Sequence, residues 1–387
     1  MKLSLTSDQE FFRDTTARFL REQAPVGEIR RLRDDPAGFG ADYWRRGAEL
    51  GWTSLLVSEE HGGGSISGDG VADLTLVAHE FGRNAAPGPL TPTNVVAAAL
   101  SDALGAGTNG GSTDARRELL AGLLAGTAIA SWCFGEPRPH DRLGDVATEV
   151  RVDGSEIVIS GVKRPAESVA TATHLLVTGR TGAGLTQVLV PADAEGVTVE
   201  PMQSVDLTRR FSEVTFRDVR LPLDAVFGEL GGADGQVERQ LQVAIVIANA
   251  EAVGAMQAAL DMTIEWAFDR YSFGRPLASY QELKHRFADM KTWLESSHAI
   301  SDAAADHVGA RSPDAAESVS IAKAFIGHYG GELIQDCVQI HGGIGVTFEH
   351  DLHLFLRRHT INRTLWGTPA DHRQRIAGLV ERAAVPA

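Results

Sequence analysis

Two C-terminal clusters combine residue types able to hold a phosphorylated ligand. The first reads Arg270-Tyr271-Ser272-Phe273-Gly274-Arg275-Pro276-Leu277, followed by Gln281, Lys284 and Ala288-Asp289-Met290. The second is Gln339-Ile340-His341-Gly342-Gly343-Ile344-Gly345. A guanidinium such as that of Arg270 suits a diphosphate, because its planar fork donates two parallel charge-assisted bonds. Gly342 and Gly343 let backbone come close where a Cβ would collide. A plainer reading stands beside this one: a solvated arginine at a helix end, and glycines that turn the chain.

Other titratable residues are weaker candidates. His341, His350 and His353 resemble a metal cluster in composition. His350 and His353 are three apart at an expected helix start, and no carboxylate-histidine ligand pattern surrounds them, so no metal is expected. Glu349 and Asp351 read as acids at that helix N-terminus, where the macrodipole favours them. Cys133 lies in an apolar setting and reads as packing. Glu251, on a long helix, is either an unusual base or a glutamate paired with a neighbour. No nucleophile elbow, Walker loop or dinucleotide fingerprint occurs in a suitable context.

Three regimes position these residues. Residues 1–126 carry a helical pattern, opening with Ser7-Asp8-Gln9-Glu10 in capping-box form and continuing through Phe12, Thr16, Phe19 and Leu20. Val71 to Phe81 is a further apolar segment, and Gly105 to Thr113 reads as a surface loop. Residues 127–233 turn to short strands around Leu175–Val177, Val188–Val190, Val197–Val199 and Val214–Phe216. A hairpin is expected across Asp153-Gly154. Residues 234–387 return to long helices, with Leu241, Ile245, Ala248, Ala252, Ala255 and Ala259 at three- and four-residue steps. That small-residue stripe permits close helix approach and predicts a bundle. Helices, then strands, then helices is an α+β arrangement.

Composition narrows the function. The 387 residues are 43% hydrophobic and 22% charged, as in an ordinary folded protein. A formal net charge of −15 argues against a general nucleic-acid or anionic-membrane binder, though not against a local phosphate pocket. Two cysteines, Cys133 and Cys337, cannot form a disulfide framework and suit a reducing compartment. The N-terminus has no apolar signal core, and the run from Val243 to Ala250 is too short to span a bilayer. A cytoplasmic protein is expected.

The two C-terminal motifs, in this order, resemble those of the acyl-CoA dehydrogenase superfamily. Trp44, Leu50-Gly51-Trp52, Glu59-Glu60-His61-Gly62-Gly63 and the strand Val214 to Pro222 extend the resemblance over the whole chain. The resemblance implies an N-terminal helical domain, a small middle β domain and a C-terminal four-helix bundle. It also implies FAD as cofactor and α,β-dehydrogenation of an acyl-CoA. Arg270 would then reach the diphosphate of an FAD held mostly by a neighbouring subunit. Phe273 would pack near that cofactor, Gln281 and Gln339 would hydrogen-bond it, and Gly342, Gly343 and Thr368 match family positions.

Four departures matter. The family commonly keeps its catalytic glutamate before a Gly-Thr pair; here Trp366 precedes Gly367-Thr368, and an indole accepts no proton. The alternative base position falls on Ala244, with Glu251 two turns away, on the order of 10 Å. A flavin-edge threonine is replaced by Gly135 within Trp132-Cys133-Phe134-Gly135-Glu136-Pro137, and a flavin-stacking tryptophan by Pro165. The continuation from Gly345 to Leu354 is similar to actinobacterial members. This set of features resembles the subunits of heteromeric, steroid side-chain-type acyl-CoA dehydrogenases that lack the base. The implied partners are a second subunit with the glutamate, an acyl-CoA and an electron-transfer flavoprotein. A self-sufficient homotetramer using Glu251 or another base and a cofactor-free scaffold remain alternatives.

Overall fold

The computed structural model describes residues 5–106, 113–139 and 143–384. Most of the expected loop from Gly105 to Thr113, and part of the stretch from Arg138 to Gly144, lie outside the described residues. The N-terminal region holds α1 (Ser7–Gln23), α2 (Val26–Arg31), α3 (Ala41–Glu49), α4 (Gly70–Arg83), α5 (Leu90–Gly105) and α6 (Thr113–Leu124). The first helix is capped one residue earlier than expected. Thr6 accepts from the Gln9 amide at 3.2 Å, and the Gln9 side chain returns to the Thr6 N–H at 3.1 Å. Gln9 moves the box to Thr6–Gln9, because glutamine serves at the N3 position as glutamate does. Trp44 and Trp52 are fully buried beside Phe81. Gly47 lets Trp52 in, since a Cβ there would lie 2.2 Å from the indole.

The middle region is an eight-stranded sheet: β1 (Ala130–Cys133), β2 (Glu149–Asp153), β3 (Glu156–Glu167), β4 (His174–Thr181), β5 (Gly184–Pro191), β6 (Val197–Met202), β7 (Phe211–Pro222) and β8 (Val226–Phe227). Its order is β6-β7-β3-β2-β4-β5-β8, with β1 parallel to β4. The expected hairpin forms, but Asp153 pairs with Glu156, so Gly154-Ser155 is the loop. Gly154, at φ 66°, supplies the left-handed backbone that such a loop requires. Val150, Ile157, Ile159, Leu175, Val188, Val214 and Phe216 build a separate core on the sheet.

The C-terminal region contains α7 (Asp234–Asp269), the short hairpin β9 (Tyr271–Ser272) and β10 (Arg275–Pro276), then α8 (Gln281–Gly309), α9 (Ala315–His341), α10 (Leu352–Thr364) and α11 (Pro369–Ala384). Helices α7 to α10 pack on one another, and α11 lies on α9. Helix α7 is apolar and long enough to cross a membrane, but 89% of its most apolar stretch is buried inside the protein. It is therefore the core helix. Its small residues let α4 approach: a Cβ on Gly82 would lie 2.0 Å from the Glu251 carbonyl oxygen, and one on Gly254 2.0 Å from that of His79.

A buried ionic cluster joins the sheet to the bundle. Arg209, in the loop before β7, forms a two-pronged pair with Glu167 of β3 at 2.6 and 2.5 Å. It also donates to Asn362 of α10 at 2.7 Å. Arg358 of α10 binds Asp206 at 2.7 Å and the Ala86 carbonyl at 2.8 Å. Both arginines flank Glu251, at 3.5 and 3.6 Å, and Asn362 donates to it at 3.0 Å.

Candidate functional site

The structure separates the expected site residues into an exposed face and a cleft. The face begins where α7 stops. Arg270 leaves helical backbone (φ −86°, ψ 121°) and its carbonyl accepts from the Leu277 N–H at 2.9 Å, closing the hairpin. Phe273 and Gly274 turn it, both with positive φ (49° and 81°), as a two-residue hairpin of this twist demands. Tyr280 fastens the hairpin from below, its hydroxyl donating to the Ser272 carbonyl at 2.7 Å while Arg275 sits 3.8 Å from its ring centre. Phe273 is consequently held out, 98% exposed.

The Arg270 guanidinium lies over Trp266, 5.9 Å from the ring centre. Among the described residues it has no carboxylate partner. Trp266 stacks on His341 at 5.3 Å, and His341 meets His350 at 4.7 Å. This stack joins the hairpin to the end of α9. There Gly342 caps the helix at φ 67° and donates to the Gln339 carbonyl. Gly343 has no positive φ, and a Cβ on it would meet nothing within 4 Å. Nothing inside this chain therefore requires glycine at 343. Gln281 and Gln339 are exposed. Trp266 was not expected here; its only advance signal is an aromatic one helical turn before the arginine.

The cleft, of ≈ 580 Å³, lies between the sheet and the start of α11, lined among others by Gly135, Pro165, Trp366 and Thr368. The turn carrying Trp366 is tightly built. Trp366 has φ 56° and Gly367 φ 104°. The Trp366 carbonyl accepts from His372 Nε2 at 3.0 Å. Burial pushes His372 down to about 4, so it is neutral at pH 7 and can donate. Gly367 is needed for His372 as well as for its own backbone, since a Cβ would come 2.9 Å from that nitrogen. Thr368 and Asp371 cap α11 reciprocally at 2.7 and 3.3 Å. The indole of Trp366 then leans on Trp132 at 6.0 Å, and Trp132 stacks on Phe134 at 5.1 Å.

The carboxylates near the indole are largely committed. Burial would raise Glu136, but Lys163 at 2.6 Å and the amides of Ala147 and Thr148 hold it below the usual range. Asp371 is engaged by Thr368. Glu251 is not among the lining residues and stays between Arg209 and Arg358. Cys133 is fully buried and pushed up to about 12 by that burial, which leaves it an inert thiol.

Two family models match the chain: the acyl-CoA dehydrogenase N-terminal domain over residues 6–127 and the acyl-CoA dehydrogenase C-terminal domain over residues 235–380. The chain belongs to the acyl-CoA dehydrogenase family. Members of this family are FAD-dependent oxidoreductases that dehydrogenate acyl-CoA thioesters. Acyl-CoA dehydrogenase IpdE2 of Mycolicibacterium smegmatis is 26% identical, covering 96% of this chain and 98% of that protein. The solved structure of a variant of the Tcur3481-Tcur3483 steroid ACAD superposes with a TM-score of 0.85 at 24% identity, covering 97% and 98% of the two chains. That of a glutaryl-CoA dehydrogenase from Mycobacterium smegmatis in complex with FADH2 gives 0.84 at 22% identity, covering 99% and 97%.

The two regions differ in their fit to FAD. The face fits its diphosphate end: an exposed guanidinium that has no carboxylate partner among the described residues, a projecting aromatic and open glycine backbone. The cleft does not fit the flavin ring of an acyl-CoA dehydrogenase. Gly135 offers no hydroxyl, Pro165 offers no aromatic face, and the Trp366 indole accepts no proton.

Proposed function

We propose that this chain is the base-lacking subunit of a heteromeric acyl-CoA dehydrogenase. A partner chain of the same family carries the glutamate and the flavin pocket. Arg270, with Phe273, Gln281, Gln339, Gly342 and Gly343, completes the partner's FAD site from across the interface. FAD bound there supplies the acceptor for the substrate's β-hydride, and an electron-transfer flavoprotein reoxidises the enzyme.

The observation that carries this reading is the Arg270 guanidinium, exposed and, among the described residues of an acidic chain, without a carboxylate partner, beside a phenylalanine that is 98% exposed. Phe273 does not stand alone: Phe268 and Tyr271, within five residues of it, are exposed as well, and grouped exposed apolar side chains mark an interaction surface. A steroid thioester is the substrate class we infer, in keeping with the steroid ACAD among the structural neighbours. The commitment of Glu251 to two arginines disfavours a self-sufficient enzyme using that residue as base.

The test is co-expression with the partner and measurement of FAD content and turnover. A tetramer with two copies of each chain and about two FADs is expected. Arg270→Ala should weaken FAD binding about ten- to hundred-fold, the equivalent of roughly 1.5–3 kcal/mol for a bond to a charged group. Four FADs per tetramer, or an Arg270→Ala complex that keeps its flavin and rate, would rule the assignment out.

A further inference from the structure

Gly135 and the Arg164-Pro165 step face each other in the wall of the Trp366 cleft. The Arg164 N–H donates to the Gly135 carbonyl at 2.9 Å. A Cβ built on Gly135 would lie 2.9 Å from the Arg164 carbonyl oxygen, 3.4 Å from its carbonyl carbon and 3.5 Å from Pro165 Cδ. Gly135 does not have positive φ. Glycine is therefore demanded by the neighbouring strand, not by the local turn.

The strand has reason to sit there. Pro165 has no N–H to give to a ladder, and proline in a sheet is confined to edges and irregularities. The pairing of β3 with β7 shifts register between Lys163 and Ala166, across these two residues. Just before the irregularity, Lys163 is fully buried and its ammonium reaches Glu136 at 2.6 Å and the Phe134 carbonyl at 3.2 Å. Phe134 and Glu136 are the two neighbours of Gly135. The segments are thus clamped on both sides of the close contact, and neither backbone can withdraw without breaking a buried ion pair.

We propose that Gly135 and Pro165 act as one coupled device that excludes a flavin ring from this chain's own β domain. The irregular β3 backbone takes the space that any side chain at 135 would need, so the hydroxyl that could hold the ring cannot return while the strand keeps this course. The inference rests on the proposed function and adds its cause. A hydroxyl restored at 135 alone meets the Arg164 carbonyl. An aromatic restored at 165 alone leaves the glycine and its pairing in place.

A double-mutant cycle on the full chain, purified alone and equilibrated with FAD, tests this. Gly135→Ala and Gly135→Thr should each lower the melting temperature by a few degrees without raising bound flavin. Pro165→Trp alone should also bind no more flavin. Gly135→Thr combined with Pro165→Trp should recover part of the lost melting temperature and bind more flavin than either single variant. Additive melting changes would overturn the coupling. Recovery without added flavin would overturn the exclusion role, as would a Gly135→Thr chain that keeps its melting temperature and turns yellow. Gly135→Ala adds a single carbon, so the collision stays measurable if the threonine variant does not fold. A failure of the Arg270→Ala test would strike the proposed function alone and leave this coupling measurable.

Discussion

Trp366 and Arg270 set the chemistry of the two regions. Replacing Trp366 with glutamate should not create acyl-CoA dehydrogenation in the isolated chain. A carboxylate at 366 supplies a base, but positioning opposite the reacting carbon contributes as much as the base does, and Gly135 and Pro165 remain. Family-like turnover of Trp366→Glu in a standard dye-reduction assay would contradict this reading of the cleft. At the exposed face, Trp266 holds Arg270 by its ring. Trp266→Ala should therefore weaken FAD binding in the complex, Trp266→Phe should largely preserve it, and neither should matter once Arg270 is alanine. FAD titration of the four-member cycle decides this, because independent residues would give additive losses. The sequence showed Arg270, Gly343, Gly135, Pro165 and Trp366, since each is visible as a residue type in a motif. It did not show Trp266 or His372, nor the stacking of Trp266 on His341. Trp266 meets His341 across two helices, and His372 acts through the carbonyl of Trp366, so neither relation is encoded in a spacing.

Among the elements, α7 was legible and its function was not. The steps of Leu241, Ala248, Ala252 and Ala255 announce a helix packed closely on its neighbours, and Gly82 and Gly254 meet the opposing carbonyls as such a stripe allows. Glu251 sat in that pattern as a lone acid. Its partners come from positions far away in sequence, Arg209 on the sheet side and Arg358 and Asn362 on α10, so no local window reveals the cluster. The cluster makes a clear energetic claim. Glu251 is 3% exposed, and removing it leaves the Asn362 amide without its acceptor, although Arg209 keeps Glu167 and Arg358 keeps Asp206. Glu251→Ala should cost about 1–3 kcal/mol of stability, the range for a buried donor left unsatisfied, read as a lower denaturant midpoint. A loss below about 1 kcal/mol, the range of an exposed pair, would show the carboxylate to be dispensable. The cap of α1 was missed by one residue for a simpler reason: Thr6 and Ser7 are equally good capping residues, and Gln9 selects the first.

At the scale of the whole molecule, the sheet, the N-terminal helices and the bundle meet around buried groups that resist protonation, and this fixes the response to acid. His359 and His372 are 1% and 0% exposed. Burial pushes each down to about 4 from 6.5, with Lys323 adding to it. His359 faces Lys323 and Arg363; His372 faces Lys323, Arg375 and Asp371. In the unfolded chain both histidines take up a proton near pH 6.5, while in the fold they stay neutral until about 4. The unfolded state therefore binds more protons throughout that window, and stability must fall as pH falls through it. Above pH 6.5 the contribution is fully present. By pH 4 the loss is of order 3 kcal/mol for each histidine. Burial raises Asp206, but Arg358 and the Thr208 amide hold it below the usual range, so its share is lost only as the pH falls further. Thermal melts at fixed ionic strength should show a falling midpoint between pH 6.5 and 4. His359→Gln should flatten that slope while lowering stability at pH 7, because it removes the titrating group and disturbs its packing. A midpoint unchanged between pH 6.5 and 4, or an unaltered slope in His359→Gln, would show that these histidines do not set the acid limit of the fold.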